Sequence, residues 1–273
     1  MDETPVETPV LAALDGGVLT LTLNRPQRLN AMSHQLIERL IAELKRARED
    51  RSIRSVLLTG TGRGFCAGAD LAGPGPGDPA GGAKASGERD VGAAMDRIFN
   101  PLIRAMRALP KPIVAAVNGV AAGGGANLAL ASDIVIAARS ARFDQAFVRI
   151  SLIPDLGGTW FLPHTVGDAR ARALAMLGSP VPAEEAKRMG MVWDVVDDAA
   201  LMDEAGKIAR RLAAGPTLSY AAIKEAISAA ATNTLDQQLD LERDRQRELG
   251  RSADFKEGVA AFLAKRPANF TGR

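Results

Sequence analysis

The chain has 273 residues, of which 47% are apolar, so it is long enough to bury one substantial core and to carry a small second domain. Its 34 lysines and arginines nearly balance its 32 aspartates and glutamates, which excludes the strong positive excess by which proteins hold nucleic acid or anionic lipid. The single cysteine, Cys66, excludes an intramolecular disulfide and favours a reducing, cytoplasmic location.

The N-terminal part of the chain predicts a hairpin, a helix and a strand. Apolar runs at 10–14 and 18–23 flank an Asp-Gly-Gly turn, which is typical of a β-hairpin. Ser33 precedes apolar residues at helical spacing and is a suitable N-cap for a helix that ends near Asp50. The apolar run 55–59 predicts the next strand.

Two segments lack any periodicity. Residues 1–9 are acidic and contain two prolines, so they do not resemble a signal peptide and are interpreted as a loose arm. Residues 72–87 are dense in glycine and proline and predict a mobile loop.

The rest of the chain predicts an α/β core followed by helices. A helix over 91–109 and strands at 113–117 and 133–137 continue the alternation of strand and helix, which implies crossovers and a mostly parallel, buried sheet. From Leu201 onward, helical stretches follow one another without a strand. They cover 205–214, 217–230, 234–249 and 253–265. We therefore expect a core over 1–200 and a helical C-terminal domain over 201–273.

Residues 112–132 carry no charged side chain and are long enough to cross a bilayer. Asn118, Asn127 and the glycines 123–125 interrupt the segment, whereas backbone in lipid needs an unbroken helix. A buried strand, turn and helix is the favoured interpretation, and no membrane partner is expected.

Two loops of small residues follow apolar strands. The first is Ala67-Gly68-Ala69-Asp70-Leu71, and the second runs from Asn118 to Gly125. Each is placed to open a helix, which would leave free backbone N–H groups at two converging points. Two such donors aimed at one spot form an oxyanion hole, which stabilises a thioester carbonyl as it becomes an enolate. The alternative is that the small residues serve only tight backbone packing.

Other functional signatures are missing from the sequence. Neither glycine loop has the third glycine of the dinucleotide fingerprint, and no P-loop is present. His34 and His164 are far apart, so a zinc site or a Ser-His-Asp triad lacks its components. Both histidines are interpreted as surface or packing residues. We expect no metal, flavin or nicotinamide cofactor.

Several segments together resemble the crotonase family, the enoyl-CoA hydratases and isomerases. Those that carry the resemblance are 25–32, 64–71 and 118–125. Three further segments resemble the sequences of one branch of the family, which isomerises ring 1,2-epoxyphenylacetyl-CoA. They are 153–160, 190–198 and 251–272. The resemblance runs from about Val10 to the C-terminus. It implies a spiral of ββα units with a helical C-terminal region used for trimer formation, often as a dimer of trimers.

The resemblance also implies roles for individual residues. The oxyanion donors would be the N–H groups of Ala69 and Gly124. Family hydratases use two glutamates to activate water, and those positions hold Asn127 and Phe147 here. Neither accepts a proton as a base, so water addition by that route is not expected. Together with Trp160, these two residues are assigned to the acyl pocket, where Asn127 can still form hydrogen bonds and Phe147 can form an apolar wall.

Asp155 is the acidic residue that remains at the implied site. By the resemblance it occupies the position of the catalytic aspartate of the epoxide isomerase and of several double-bond isomerases. In an apolar pocket beside Phe147 and Trp160 its pKa should rise, which suits a group that takes and returns a proton. The alternative is an aspartate that caps the helix beginning near Gly157.

CoA recognition is implied for the loops and for the C-terminal tail. In the family, the adenine and pantetheine lie against the backbone of two loops, and an aromatic residue and a lysine lie near the 3′-phosphate. The tail residues are Phe262 and Lys265, although a lysine at a helix end is otherwise a routine solvated charge. The matching loop residues are Gln27, Arg28, Ala31, Ala67, Gly68, Asp70 and Leu71.

The predicted function is the isomerisation of an acyl-CoA thioester, with CoA as part of the substrate and no separate cofactor. The enzyme would expand the ring epoxide of phenylacetyl-CoA to an oxepin, or move the double bond of a 3-enoyl-CoA to the 2-position. One alternative is a general enoyl-CoA hydratase with a substitute base. Another is a non-catalytic member of the superfamily that binds acyl-CoA or RNA, although the balanced charge gives little support to nucleic-acid binding.

Overall fold

The computed structural model describes residues 8–71 and 90–273. The predicted mobile loop at 72–87 and most of the predicted N-terminal arm lie outside these residues. Within the described ranges, no helix combines the length and the apolar character needed to cross a membrane. The uncharged segment 112–132 folds into two strands and a helix, which confirms the interpretation favoured above.

A six-stranded sheet forms the centre of the fold. With strands numbered along the chain, it contains β1 (Val10–Asp15), β2 (Val18–Leu23), β3 (Ser55–Gly60), β5 (Ile113–Val117), β7 (Ile134–Ala138) and β10 (Asp194–Val196). The strands lie in this same order across the sheet, and only the β1–β2 hairpin is antiparallel. All five residues of β5 are buried, as expected of a parallel strand covered on both faces. The predicted hairpin and parallel sheet are confirmed.

A second sheet of four short strands was not predicted. It contains β4 (Gly64–Cys66), β6 (Val120–Ala122), β8 (Arg142–Asp144) and β9 (Val181–Pro182), in that order. Strands of two or three residues are too short for an alternating pattern to be recognised. Because β4 and β6 are parallel neighbours, the two loops of small residues leave the sheet side by side.

The first two helical regions occur where they were predicted. Helix α1 (His34–Glu49) begins at Ser33, whose hydroxyl accepts a hydrogen bond from the Leu36 N–H. The predicted helix over 91–109 is divided into α2 (Val91–Ala94), a π-helical turn (Met95–Phe99) and α3 (Asn100–Arg107). Pro101 accounts for the interruption because it lacks the N–H that would continue the hydrogen-bond ladder.

Four helices occupy the middle of the chain and four follow the last strand. The middle helices are α4 (Gly124–Leu130), α5 (Gly158–Val166), α6 (Asp168–Leu177) and α7 (Ala183–Arg188). The others are α8 (Leu201–Ala213), α9 (Thr217–Ala229), α10 (Leu235–Leu249) and α11 (Ala253–Leu263), which confirms the predicted helical C-terminal region. Helix α8 packs on the central sheet, where the Ser55 hydroxyl donates to the Ala209 carbonyl at 2.8 Å. The division of the chain at residue 200 stays a prediction.

Candidate active site

The first small-residue loop leaves one backbone N–H unused. The Met32 N–H donates to the Gly68 carbonyl at 2.7 Å, and the Asp70 N–H donates to the Met32 carbonyl at 3.1 Å. These two bonds flank Ala69, whose own N–H has no hydrogen-bond partner among the described residues. Ala69 therefore offers a fixed donor at the end of β4.

The second loop brings a similar donor next to the first. Gly124 is the first residue of α4, and its N–H also lacks a partner in the described part of the chain. A Cβ atom on Gly68 would lie 3.4 Å from the Gly124 nitrogen and 2.9 Å from the Ala122 carbonyl oxygen. The two loops are therefore in direct contact, and the role of their N–H groups as an oxyanion hole stays a prediction.

An ion pair that the sequence analysis missed braces the first loop. The Arg25 guanidinium contacts the Asp70 carboxylate at 2.7 Å and donates to the Ala31 carbonyl at 2.6 Å. The Asn30 side chain donates to the Gly64 carbonyl at 2.7 Å, just before the loop. Both Arg25 and Asn30 lie inside the 25–32 segment, whose family resemblance was the only signal for them. The Asp70 carboxylate is buried, and a contact of Asp70 with CoA stays a prediction.

Asp155 faces the second loop. Its Oδ1 atom is buried, has no hydrogen-bond partner among the described residues and lies 3.5 Å from the position that a Cβ atom on Gly124 would occupy. Burial raises the pKa of Asp155 to about 7, because the carboxylate loses the hydration that stabilises its charge. A carboxyl group of this pKa next to a free amide is suited to both proton removal and proton return.

The alternative role of Asp155 as a helix cap is not observed. The N-cap of α5 is Gly157, and no side chain accepts a hydrogen bond there. The Gly158 N–H donates instead to the backbone carbonyl of Asp155 at 2.8 Å. Leu156 and Gly157 both adopt a left-handed backbone, with φ of +48° and +78°, so the chain turns sharply between Asp155 and α5.

Asn127 is buried and forms hydrogen bonds, as the sequence predicted, and its place in the acyl pocket stays a prediction. Its side chain has no exposed surface, and its Nδ2 donates to the Asp155 carbonyl at 2.7 Å. Gln145, which the sequence analysis missed, donates to Asn127 Oδ1 at 2.8 Å. No sequence signal marked Gln145, because it follows a strand of only three residues. Phe147 is buried, with its Cζ 3.8 Å from the position that a Cβ atom on Gly123 would occupy, so it lies beside the second small-residue loop, which is called the oxyanion loop below.

Trp160 lies on a groove of about 1020 Å³ between α3, α5, α9 and α10, which Gly157 also lines. Its ring stacks on His164 with 4.3 Å between the ring centroids, and the Arg107 guanidinium lies 6.0 Å from the indole centroid. His164 therefore has a packing contact, as predicted for a structural histidine. The position of Trp160 in an acyl pocket beside Asp155 stays a prediction.

Five of the nine residues predicted to bind CoA are exposed, whereas Ala31, Gly68 and Asp70 are buried and Ala67 is half-buried. Gln27 and Arg28 lie in an exposed 3-10 turn, and Leu71 is exposed at the end of the first described range. Phe262 is 83% exposed at the end of α11, and Lys265 follows it with a φ of +49°. Exposure is compatible with ligand contact but does not show it, so these assignments stay predictions.

Neither a metal centre nor a reactive thiol is seen in the part of the chain that the structure describes. No group of three or more histidine, cysteine, aspartate or glutamate residues within the described ranges is placed to hold a metal ion. Burial raises the pKa of the Cys66 thiol to about 12, so it is not a nucleophile at neutral pH. Of the sequence-predicted groups, the structure therefore brings together the Ala69 and Gly124 amides, Asp155 and Phe147.

Comparison with known proteins decides the family. A profile of the enoyl-CoA hydratase/isomerase family matches residues 13–273. The chain belongs to the enoyl-CoA hydratase/isomerase family. Within this family it is 55% identical over 264 residues to the 1,2-epoxyphenylacetyl-CoA isomerase of Escherichia coli, which covers 97% of this chain and 98% of that protein. It is 48% identical to a probable enoyl-CoA hydratase of Rhodobacter capsulatus, covering 94% of this chain and 95% of that relative.

Solved structures of the family share the fold. A putative enoyl-CoA hydratase/isomerase from Mycobacterium abscessus superimposes with a TM-score of 0.87 at 36% identity, covering 97% of this chain and all of that one. A putative enoyl-CoA hydratase from Streptomyces coelicolor gives a TM-score of 0.88 at 36% identity, covering 99% of this chain and 96% of that one. The crotonase-like fold predicted from the sequence is confirmed.

Proposed function

We propose that this protein is an isomerase of CoA thioesters, in which Asp155 moves a proton while the Ala69 and Gly124 amides bind the thioester oxygen. The proposed substrate is ring 1,2-epoxyphenylacetyl-CoA, which is converted to the oxepin, and a 3-enoyl-CoA is the second. The observation that carries the proposal is the buried, unpaired Oδ1 of Asp155 beside Gly124. The 55% identity to an isomerase of that name supports the choice of substrate.

The proposed reaction begins with the Asp155 carboxylate, which takes a proton from the carbon next to the thioester carbonyl. The negative charge moves to the thioester oxygen, where the two N–H groups are already oriented. Loss of one such donor typically costs ~3 kcal/mol of transition-state stabilisation. The protonated Asp155 then returns the proton at a different carbon, which completes the shift of the double bond in a 3-enoyl-CoA. In the ring epoxide the bond between the two epoxide carbons also breaks while both C–O bonds remain, so the ring expands to the oxepin with no atom gained or lost. These steps need no metal, flavin or nicotinamide, so CoA itself is the only cofactor moiety in the proposal.

The proposal includes CoA binding by the loop residues around Arg28 and Ala69 and by Phe262 and Lys265. It also includes a homotrimer or a dimer of trimers, which the exposed apolar side chains of α9 to α11 support. A cytoplasmic location is proposed because the chain has a single cysteine. No nucleic-acid or membrane partner is proposed, since the charges nearly balance.

The test is isomerisation of ring-epoxidised phenylacetyl-CoA and of a 3-enoyl-CoA in deuterated water by the wild-type protein and Asp155→Asn. An amide cannot act as the base, so kcat is expected to fall by about 10²- to 10⁴-fold for both thioesters. Asp168→Asn is the matched control, because Asp168 is an exposed aspartate paired with Arg172 on α6. If Asp155→Asn converts each thioester as fast as the wild type, Asp155 is not the proton carrier.

The second candidate function is hydration, which the similarity to a probable enoyl-CoA hydratase favours. The residues at the two hydratase glutamate positions argue against hydration. Asn127 donates its amide to the Asp155 carbonyl, and Phe147 is apolar, so neither activates water as a base. Water addition to crotonyl-CoA that persists in Asp155→Asn would establish the hydratase. Acyl-CoA binding without turnover, or salt-sensitive RNA binding, would establish a non-catalytic member instead.

A further inference from the structure

A buried chain of hydrogen bonds ends on the loop that carries Asp155. Gln145 Nε2 donates to Asn127 Oδ1, and Asn127 Nδ2 donates to the backbone carbonyl of Asp155. Gln145 is 4% exposed, and Asn127 is fully buried. Because a carbonyl only accepts hydrogen bonds, Asn127 must present its NH₂ group to Asp155 and its oxygen to Gln145. Gln145 must in turn present its own NH₂ group, so the polarity of the whole chain is fixed.

The elements that hold this chain also hold the oxyanion loop. Asn127 lies on α4, three residues after Gly124. Gln145 directly follows Asp144 of β8, whose carbonyl accepts a hydrogen bond from the Gly123 N–H at 2.7 Å. A shift of Gln145 relative to α4 would therefore displace both the Gly124 amide and the Asp155 carboxyl group.

Gly158 packs directly against the Asn127 side chain. A Cβ atom on Gly158 would lie 2.2 Å from Asn127 Nδ2 and 2.6 Å from its Cγ, so only a glycine leaves room for the amide there. The Gly158 N–H and Asn127 Nδ2 both donate to the Asp155 carbonyl, at 2.8 and 2.7 Å. The loop is thus held from α5 and from α4 at a single oxygen atom.

We propose that Gln145 and Asn127 form a positioning pair, which holds the Asp155 carbonyl so that its carboxyl group faces the Gly124 amide. The proposal rests on the proposed function for its activity readout. Asn127 touches the backbone of Asp155 and Gln145 holds Asn127, so the pair acts through Asp155 and not on the reacting atoms. A carboxylate in place of either amide has no N–H to donate and sets one acceptor against another.

The first test replaces Gln145 by glutamate and by leucine. In Gln145→Glu the ionised carboxylate cannot donate to Asn127, whereas the protonated carboxyl group donates through its hydroxyl. At pH 8, Gln145→Glu is expected to have a kcat about 10- to 100-fold below that of the wild type, with KM within about twofold. At low pH its kcat relative to the wild type at the same pH is expected to recover. Gln145→Leu is expected to be impaired at every pH. If the leucine variant does not fold, the pH response of Gln145→Glu still tests whether Gln145 positions Asp155.

The matched control is Gln238→Glu. Gln238 also donates its side-chain amide to a backbone carbonyl, that of Ala226, at 3.0 Å, but it lies on α10 and bonds to Ala226 and Asn233, not to the loop that carries Asp155. We expect the kcat of this variant relative to wild type to be the same at pH 6 and at pH 8. A Gln145→Glu ratio that is equally independent of pH would overturn the proposal.

The second test needs no substrate. Hydrogen exchange of backbone amides in segment 152–160 should be faster in Gln145→Glu than in wild type at pH 8, because the Asp155 carbonyl loses its support. Exchange in α1 and β5 should not change. Exchange at wild-type rates in 152–160, or equally faster exchange along the chain, would overturn the positioning role. If the wild-type protein isomerises neither thioester, the proposed function fails, and this measurement still decides the role of Gln145.

Discussion

At the scale of the residue, Asp155 pairs a chemical advantage with an energetic cost. Its Oδ1 lies in a buried position without a hydrogen-bond donor among the described residues, which disfavours the ionised form. The same environment raises the pKa to about 7, where a carboxyl group exchanges protons near neutral pH. A site selected for stability alone would pair or hydrate this carboxylate.

Asp155→Asn is expected to stabilise the folded protein, and more at high pH than at low pH. Burial raises the pKa of Asp155 from 3.8 to about 7, so between these values the folded state keeps a proton that the unfolded state has lost. Stability due to this carboxyl group therefore falls as the pH rises through that window and stays at its minimum above it. The advantage of the variant in free energy of unfolding should grow by roughly 2–3 kcal/mol from pH 5 to pH 8.

Denaturant unfolding at the two pH values measures this difference. Asp168→Asn is again the control for the loss of a carboxylate, since Asp168 is exposed and paired with Arg172. An equal advantage of Asp155→Asn at pH 5 and pH 8 would mean that the folded site does not bury the charge.

At the scale of the element, the site depends on the close approach of β4 and α4. A Cβ atom on Gly125 would lie 2.0 Å from the Cys66 carbonyl oxygen and 2.6 Å from its carbon. Both obstacles are backbone atoms, so the strand itself would have to move. The glycine loops therefore serve tight packing at Gly68 and Gly125 as well as leaving free N–H groups at Ala69 and Gly124.

Gly125→Ala is expected to lower the free energy of unfolding by about 1–3 kcal/mol, because the added methyl group overpacks the contact with β4. It should also lower kcat, since moving β4 displaces the Ala69 amide. Gly92→Ala in α2 is the control: a Cβ there would meet only Asp90 Oδ1, at 3.4 Å, and alanine favours helix by about 1 kcal/mol. Unfolding of Gly125→Ala at the wild-type midpoint would contradict the close contact.

The elements differed in how far the sequence could predict them. Strands such as β2 and β5 span five or six residues, long enough for their apolar runs to be recognised, and α1 carries its N-cap at Ser33. The second sheet consists of strands of two or three residues, so its pairing depends on contacts that no local pattern records. Asp155 was found by its resemblance to family members, whereas Gln145 acts across 18 residues of sequence and had no local signal.

At the scale of the whole molecule, the C-terminal helices are incompletely buried. Large apolar side chains on α9 and α10 remain exposed, including Ile227 at 70% and Leu235 at 73%. Phe262 and Leu263 on α11 are exposed as well. Apolar surface of this extent is typical of an interface between subunits, which is the basis of the proposed trimer.

Light scattering after size exclusion should therefore give a mass three or six times the 28.7 kDa of the chain. Ile227→Lys is expected to weaken association by roughly 10- to 100-fold, because burying an isoleucine contributes about 1.5–3 kcal/mol. Leu11→Lys, at an exposed apolar position on β1, is the control and should leave the mass unchanged. A wild-type protein that remains monomeric at micromolar concentration would contradict the assembly.

The pairing of β4 with β6 has one further consequence. Neighbouring strands of a sheet lie about 4.8 Å apart, and Ala69 and Gly124 lie three and two residues after the ends of two such neighbours. In the proposed function these two amides bind the thioester oxygen, so their separation depends on how the two strands pair and on the glycine that packs between them. We therefore expect substrate preference to depend on the side chains that face these amides, since a backbone N–H is the same in every residue type.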